Sequence, residues 1–381
     1  KTYKEGKHWP PSSTDAGSDF SEILPTDLAT VEDDRSSKSS IFMAQRTLSM
    51  KLAELGRSEQ WQGALEMFRS SQDGSGPDKA KVKASPVVYN AAISAMAKSR
   101  RWMEAMELFE EMGEKGVARD TKTFAAAISA CGRGRQWEKS LALLERMREE
   151  GCKPNVFAYC AAISACAKEG GWRRALSLLD EMREDGIMPN AATFNAAVDA
   201  CAKAGQAAQA LGLVEEMRKA SLDGNGHRVM PDTITFNSAM GACSKVGDSK
   251  GALSLLKQMK EEGVPRDVRT YSTAIMACGN SGSWEVAVSL LRDMRGDGVR
   301  PNEVCCNAAI TACGKGGAWE RALSLLQGME RDAGVSPGLI TFNAAIDACA
   351  KSRRWSEAVD ILDDLRSTAA ARAGARGGYN S

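Results

Sequence analysis

Tryptophan recurs along this chain at a nearly constant interval, and that period limits the fold more than any other feature of the sequence. Seven of the eight tryptophans take part: Trp61, Trp102, Trp137, Trp172, Trp284, Trp319 and Trp355. Their intervals are 41, 35, 35, 112, 35 and 36 residues, and the interval of 112 holds two units of 35 and one of 42. A chain with such a period folds into similar units that stack on one another, instead of enclosing a single core.

Further columns keep the same register. Alanine fills one position of every unit from Ala95 to Ala348, and cysteine fills the next position in seven of them. Methionine stands ten residues after the tryptophan column, from Met112 to Met329. The register defines eight units: 86–120, 121–155, 156–190, 191–232, 233–267, 268–302, 303–338 and 339–373. A degenerate capping unit over 41–85 precedes them.

Each unit has the pattern of two helices. In 121–155, apolar residues at i, i+3, i+4 and i+7 from Phe124 predict a first helix over Thr123–Arg133. A second helix is predicted over Trp137–Glu149, and Gly151 and Pro154 end it. The small alanine and cysteine columns allow first helices to approach closely, and we expect the tryptophan and methionine columns to fill the core. The predicted fold is an all-α solenoid of helix–turn–helix units.

The two ends of the chain lack this pattern. Residues 1–40 are rich in Ser, Asp and Glu without hydrophobic periodicity, and we expect them to be disordered, like the tail over 374–381. Their acidic residues argue against an organelle transit peptide within the chain. The chain begins with Lys1 rather than Met, so a targeting segment upstream of it would not be visible. No run of 18 apolar residues predicts a membrane-spanning helix.

Charge and cysteine spacing exclude several functions. With 50 Lys+Arg against 49 Asp+Glu, any nucleic-acid site depends on local placement of charge. The eleven cysteines include no Cys-x-x-Cys pair, and the two histidines, His8 and His227, are in no His-x-Glu motif. We therefore interpret the cysteine column as small packing residues in a reducing compartment, and expect no metal, no cofactor and no catalysis.

At the level of single units the sequence resembles a known family. The segments Val87–Ile93, Glu104–Met112 and Ile234–Asn237, with glycine at Gly116 and Gly263, are similar to pentatricopeptide repeats. The resemblance covers about 86–373, and the even period is similar to the pure 35-residue subclass. Tetratricopeptide repeats have a different period and a Trp-x-x-Leu-Gly-x-x-Tyr pattern that this chain lacks.

The resemblance implies a right-handed superhelix that binds single-stranded RNA sequence-selectively in a chloroplast or mitochondrion, in RNA processing, stability or translation. It implies a monomer with RNA as its partner, together with other RNA-processing proteins. One base is expected per unit.

The resemblance also assigns the readers to the fifth and the last residue of a unit. These pairs are Asn90/Asp120, Ala125/Asn155, Cys160/Asn190, Asn195/Asp232, Asn237/Asp267, Ser272/Asn302 and Asn307/Gly338, with Asn343 in the last unit. By resemblance Asn/Asp implies uracil, Ser/Asn adenine, and Asn/Gly a pyrimidine. Ala125 and Cys160 offer little to a base, so the expected target is 5′-U-?-?-U-U-A-(C/U).

A structural interpretation of the last residues stays open. They precede a helix and could serve only as its N-cap, although Thr123, Thr193, Thr235, Thr270 and Thr341 could take that place instead.

Two more columns suggest contacts to RNA. A cation near the end of the first helix recurs as Lys98, Arg133, Lys168, Lys203, Lys245, Lys315 and Lys351, and only Asn280 departs. Such a row can neutralise phosphates, or it can simply complement helix dipoles. Apolar second residues that could sandwich bases are Val87, Phe157, Ile234, Val304 and Ile340. The competing function is a protein–protein scaffold, which predicts an apolar or mixed-charge groove and no affinity for U-rich RNA.

Overall fold

A computed structural model describes residues 43–73, 85–220 and 229–377. All regular structure within those ranges is helical, which confirms the predicted all-α solenoid. The predicted disordered segment over 1–40 and the inserted loops over 74–84 and 221–228 lie outside the described residues.

The helices form successive hairpins. The first joins α1 (43–57) to α2 (Trp61–Asp73), in the segment predicted as a degenerate unit. The next four are α3 (Pro86–Lys98) with α4 (Trp102–Glu114), α5 (Thr121–Arg133) with α6 (Trp137–Glu149), α7 (Val156–Lys168) with α8 (Trp172–Glu184), and α9 (Ala191–Lys203) with α10 (Ala207–Ala220). The last four are α11 (Thr233–Val246) with α12 (Ser249–Glu261), α13 (Val268–Asn280) with α14 (Trp284–Gly296), α15 (Glu303–Lys315) with α16 (Trp319–Gly328), and α17 (Leu339–Lys351) with α18 (Trp355–Gly377). A π-helical turn, Met329–Ala333, continues α16.

The boundaries follow the sequence prediction closely. In unit 121–155 the second helix has the predicted ends, while the first begins two residues earlier, at Thr121. Helix α18 extends to Gly377, so the tail predicted from 374 is helical over its first four residues. No helix among the described residues is long and apolar enough to cross a membrane.

First helices pack against one another along the array, and each also packs on the second helix of its own unit. The small-residue columns lie at these contacts: Ala130 and Cys131 are fully buried, and a Cβ placed on Gly132 would lie 2.9 Å from the Cβ of Ala165. Burial raises the pKa of the Cys131 thiol to about 11, as expected for a packing residue that stays protonated. Successive first helices are thus held too close together for larger side chains.

The tryptophan column is not core, and this part of the prediction was wrong. The methionines that stand ten residues after the tryptophans are buried. The tryptophans themselves are half-buried, and Trp355 is 66% exposed. Trp102 lies against Gly134 of the next unit, where a Cβ would come within 2.2 Å of its ring, and Lys139 lies 4.3 Å above that ring. The tryptophan therefore covers the hairpin loop of the following unit, and Trp355 is exposed because no following loop covers it in the described residues.

Candidate nucleic-acid interface

In six of the units, the last residue caps the first helix of the next unit. Asp120 is typical: its Oδ1 accepts the backbone N–H of Thr123 at 2.8 Å, and its own backbone N–H donates to the Thr123 hydroxyl at 3.2 Å. The same side-chain cap is made by Asp120, Asn155, Asn190, Asp232, Asp267 and Asn302. Gly338 makes none. These six residues therefore do cap their helices, and the alternative that the threonines take that place is wrong.

Capping does not exclude pairing with the fifth residue, because the same carboxylate does both. Asn90 Nδ2 donates to Asp120 Oδ1 at 3.1 Å, and the Thr123 hydroxyl donates to Asn90 Oδ1 at 2.6 Å. Asn195, Asp232 and Thr235 repeat this arrangement, as do Asn237, Asp267 and Thr270. We call each such set an Asn–Asp–Thr triad. The buried threonine is a third member that sequence reasoning had interpreted only as a competing cap.

The triad fixes the orientation of the asparagine amide. The carboxylate attracts Nδ2 and repels Oδ1, so one N–H and one oxygen lone pair of the amide remain for a ligand. Burial alone would raise the pKa of Asp120, but hydrogen bonds from Thr123 and Asn90 outweigh it, and the pKa lies below its ordinary value. The carboxylate is therefore ionised at neutral pH.

The three triads differ in how far their asparagine is exposed to solvent. Asn90 and Asn195 are half-buried, but Asn237, which the resemblance also assigns as a base reader, is only 5% exposed. A ligand reaches Asn90 and Asn195 more readily than Asn237.

The units of Ser272, Asn307 and Asn343 do not form such a triad among the residues that the structure describes. Ser272 donates to the carbonyl of Arg269 at 3.0 Å and not to Asn302. Asn343 is exposed at the start of the last unit, and Asn307 is half-buried.

Units 121–155 and 156–190 bring the predicted columns together. One cavity of about 520 Å³ is lined by Lys122 and Phe157 (second residues), Ala125 and Cys160 (fifth residues), Asn155 (a last residue), and Arg133 and Lys168 (the cation column). These four columns therefore face the same space between neighbouring first helices. The second residues expose apolar surface: Val87, Phe157, Ile234, Val304 and Ile340 are 53–73% exposed.

The cation column is exposed throughout, and some of its members also bridge units. Lys168 donates to the carbonyl of Gly132 at 2.7 Å, and Lys245 donates to that of Lys203 at 2.8 Å. Asn280 makes the same contact, to the carbonyl of Ser244 at 2.8 Å. Lys168 and Lys245 thus meet the last carbonyls of the preceding first helix, where a cation complements the helix dipole.

Positive charge is nevertheless crowded at this end of the helices. Burial first, and then repulsion from Arg133 and Lys203, lower the pKa of Lys168. Lys203 and Lys351 are partly neutralised by Asp199 at 2.7 Å and Asp347 at 2.6 Å. The row around Lys168 is thus the most suitable part of the column for an anion.

Removing a cap should lower stability without changing the hairpin core. We expect Asn155→Ala to destabilise the protein by about 1 kcal/mol, because the backbone N–H of Ala158 loses its acceptor, while Asn155→Asp keeps the cap. Urea unfolding followed by circular dichroism measures both. Equal stability of the two variants would contradict a capping role for this residue.

The fold and this face together define an α-solenoid whose first helices present a repeating polar and cationic surface. Sequence models of the family agree. They match as the PPR repeat family over 84–133, the PPR repeat over 122–152, the pentatricopeptide repeat domain over 142–204 and 177–245, and the pentacotripeptide-repeat region of PRORP over 225–372. These matches run unbroken over 84–372, and the chain belongs to the pentatricopeptide repeat family.

Solved structures are similar as well. The crystal structure of the pentatricopeptide repeat protein PPR10 from maize is 25% identical with a TM-score of 0.57, covering 91% of this chain and 52% of that one. This chain therefore spans about half the length of that protein. PPR10 in complex with an 18-nt psaJ RNA element is 23% identical (TM-score 0.38; 92% and 62% covered). Yeast Rmd9p in complex with a 16-nt target RNA is 13% identical (TM-score 0.39; 92% and 73% covered). No curated protein matches the sequence.

Proposed function

We propose that this protein binds single-stranded RNA sequence-selectively, one base per unit, along the face formed by its first helices. The observation that carries the proposal is the shared cavity, where a fifth and a last residue, an apolar side chain and three cations face one space. A nucleotide offers matching chemistry: a hydrogen-bonding edge, an apolar ring face and a phosphate. That the related PPR10 has been crystallised with an RNA element supports the same partner.

The triads supply the reading chemistry. With Nδ2 turned toward the carboxylate, an asparagine such as Asn90 offers one N–H to a uracil carbonyl and one oxygen to the uracil N3–H. We propose uracil at the units of Asn90, Asn195 and Asn237, adenine at Ser272, and little selectivity at Ala125 and Cys160. By family resemblance, we place the protein in a chloroplast or mitochondrion, acting in RNA processing, stability or translation without catalysis of its own. This face presents cations, together with asparagine amides that keep one N–H and one oxygen lone pair for a ligand. Both features favour RNA over a protein partner.

Selection from a random pool of single-stranded RNA tests the proposal. We expect enrichment of U-N-N-U-U-A-Y (N, any base; Y, a pyrimidine), and anisotropy titration should show roughly tenfold weaker binding when the fourth base is changed from U to A. A pool that shows no enrichment at the first and fourth positions would remove the one-base-per-unit proposal. Equal affinity for RNA and for unrelated acidic polymers would have the same consequence.

Chemical modification of two cysteine thiols tests where the RNA binds. Cys152 and Cys160 are half-buried, while the other nine cysteines are buried, so iodoacetamide at mildly alkaline pH should modify these two first. Bound RNA should slow modification of Cys160, which lines the cavity, and leave Cys152, which contacts the carbonyl of Arg119, unchanged. Protection of neither thiol, or of Cys152 alone, would place the RNA elsewhere.

A further inference from the structure

The seventh unit ends in Gly338 and lacks a side chain where the six units before it carry Asp or Asn. Gly338 precedes α17 with extended backbone (φ −96°, ψ 178°), the same conformation as the other caps, and therefore leaves the cap position empty. A carboxylate from the preceding first helix fills that space: a Cβ placed on Gly338 would lie 2.3 Å from Glu303 Oε1. Glu303 thus occupies the volume that an aspartate at 338 would take.

Glu303 makes one of the contacts of the missing aspartate, the hydrogen bond from the threonine hydroxyl, while the backbone N–H of Thr341 donates to the Gly338 carbonyl at 3.0 Å. The Thr341 hydroxyl, which is equivalent to Thr123, donates to Glu303 Oε1 at 3.3 Å, and it also accepts the backbone N–H of Gly338 at 3.2 Å. Glu303 is four residues before Asn307 on α15, so the two side chains lie on one face of that helix. The unit therefore contains an asparagine, a carboxylate and a threonine, with the carboxylate supplied by a different position in the chain.

The amide of Asn307 lacks one partner. Its Oδ1 is buried and accepts no hydrogen bond within the described residues, since Thr341 is directed to Glu303 instead. A buried acceptor without a donor is unfavourable, so a ligand that brings an N–H to this atom is favoured. Uracil carries a hydrogen on N3, whereas cytosine has a lone pair there.

We propose that Glu303 is a specificity-determining residue, which substitutes for the absent side chain at 338 and makes the seventh unit select uracil over cytosine. Its negative charge attracts Nδ2 of Asn307 and repels Oδ1, and it therefore opposes the flipped amide that cytosine requires. This inference rests on the proposed function, and it sharpens the Asn307/Gly338 pair from a pyrimidine reader to a uracil reader.

The test compares U and C at the seventh position of an otherwise constant RNA. We expect wild-type protein to prefer U by about tenfold. Glu303→Gln should reduce that preference to roughly twofold or less with little change in total affinity. The double variant Glu303→Ala/Gly338→Asp should restore it, because the carboxylate returns from the usual position, whose backbone conformation accepts any residue.

The controls separate this inference from the function on which it rests. Glu320→Gln removes the same charge from the exposed start of α16 and should leave the U/C ratio unchanged. Selectivity at the first position, read by Asn90, is measured in the same variants. If it is present while Glu303→Gln keeps the full U preference at the seventh position, the role of Glu303 is wrong and RNA reading stands. If wild-type protein shows no selectivity at either position, both proposals fail.

Discussion

Replacing Lys98, Lys168 and Lys245 together by asparagine is expected to weaken binding of single-stranded RNA by on the order of 50-fold at physiological salt. Each lysine lies at the exposed end of a first helix, and Lys168 lines the cavity beside Phe157 and Cys160. A phosphate that loses its cation releases fewer counterions on binding. The slope of log affinity against log salt should therefore become shallower by about two units for three lost contacts on a single strand.

The choice of asparagine keeps the fold intact. Asn280 occupies the same column and already donates to the carbonyl of Ser244, as Lys168 donates to that of Gly132. An amide thus preserves the bridge between neighbouring first helices while it removes the charge. We expect nearly unchanged thermal unfolding, measured by circular dichroism, alongside the loss of affinity.

A variant of equal net charge provides the control. Lys250, Lys257 and Lys260 are exposed on the second helix α12, and their replacement by glutamine should change affinity by less than about threefold. Similar losses in both triple variants would mean that RNA is attracted by overall charge. Unchanged affinity in the first variant would leave the cation column with its role at the helix ends alone.

The fold was predictable because the same pattern of residues recurs in every unit. A period of 35 with small residues at fixed positions leaves stacked hairpins as the solution, and the helix ends in unit 121–155 agree with the prediction to within two residues. The tryptophan column shows the limit of that reasoning. Periodicity places a large apolar residue on a repeated face, but it does not say whether the next unit covers that face, and Trp355 is largely exposed.

The site was predictable by position but not by geometry. The family resemblance assigned Asn90 and Asp120 as a pair, and the structure joins them by a hydrogen bond. Capping and pairing had been treated as competing interpretations, although one carboxylate oxygen accepts from both Asn90 and the backbone of Thr123. Glu303 could not be found from columns, because it belongs to a different column from the residue whose place it takes.

Exchanging the reading pair of the fourth unit is expected to change which base the unit prefers. Asn195→Ser with Asp232→Asn converts it to the Ser272/Asn302 pair, and we expect the U-to-A affinity ratio at the fourth position to fall by roughly 100-fold, so that A is preferred. Asp232 presents only acceptors, which repel N1 of adenine. An asparagine there can cap with its oxygen, as Asn302 does, and donate its N–H to N1.

The fold should tolerate this exchange, since Asn190 and Asn302 already cap equivalent helices. The single variant Asp232→Asn serves as the matched control and should lose U selectivity without gaining a strong preference for A. Selectivity at the first position, read by Asn90, should stay unchanged in every variant, because Asn90 shares no hydrogen bond with this unit. Retention of the U preference by the double variant would show that Asn195 and Asp232 only cap and brace the helix, whereas its transfer to A would establish that this pair reads the base.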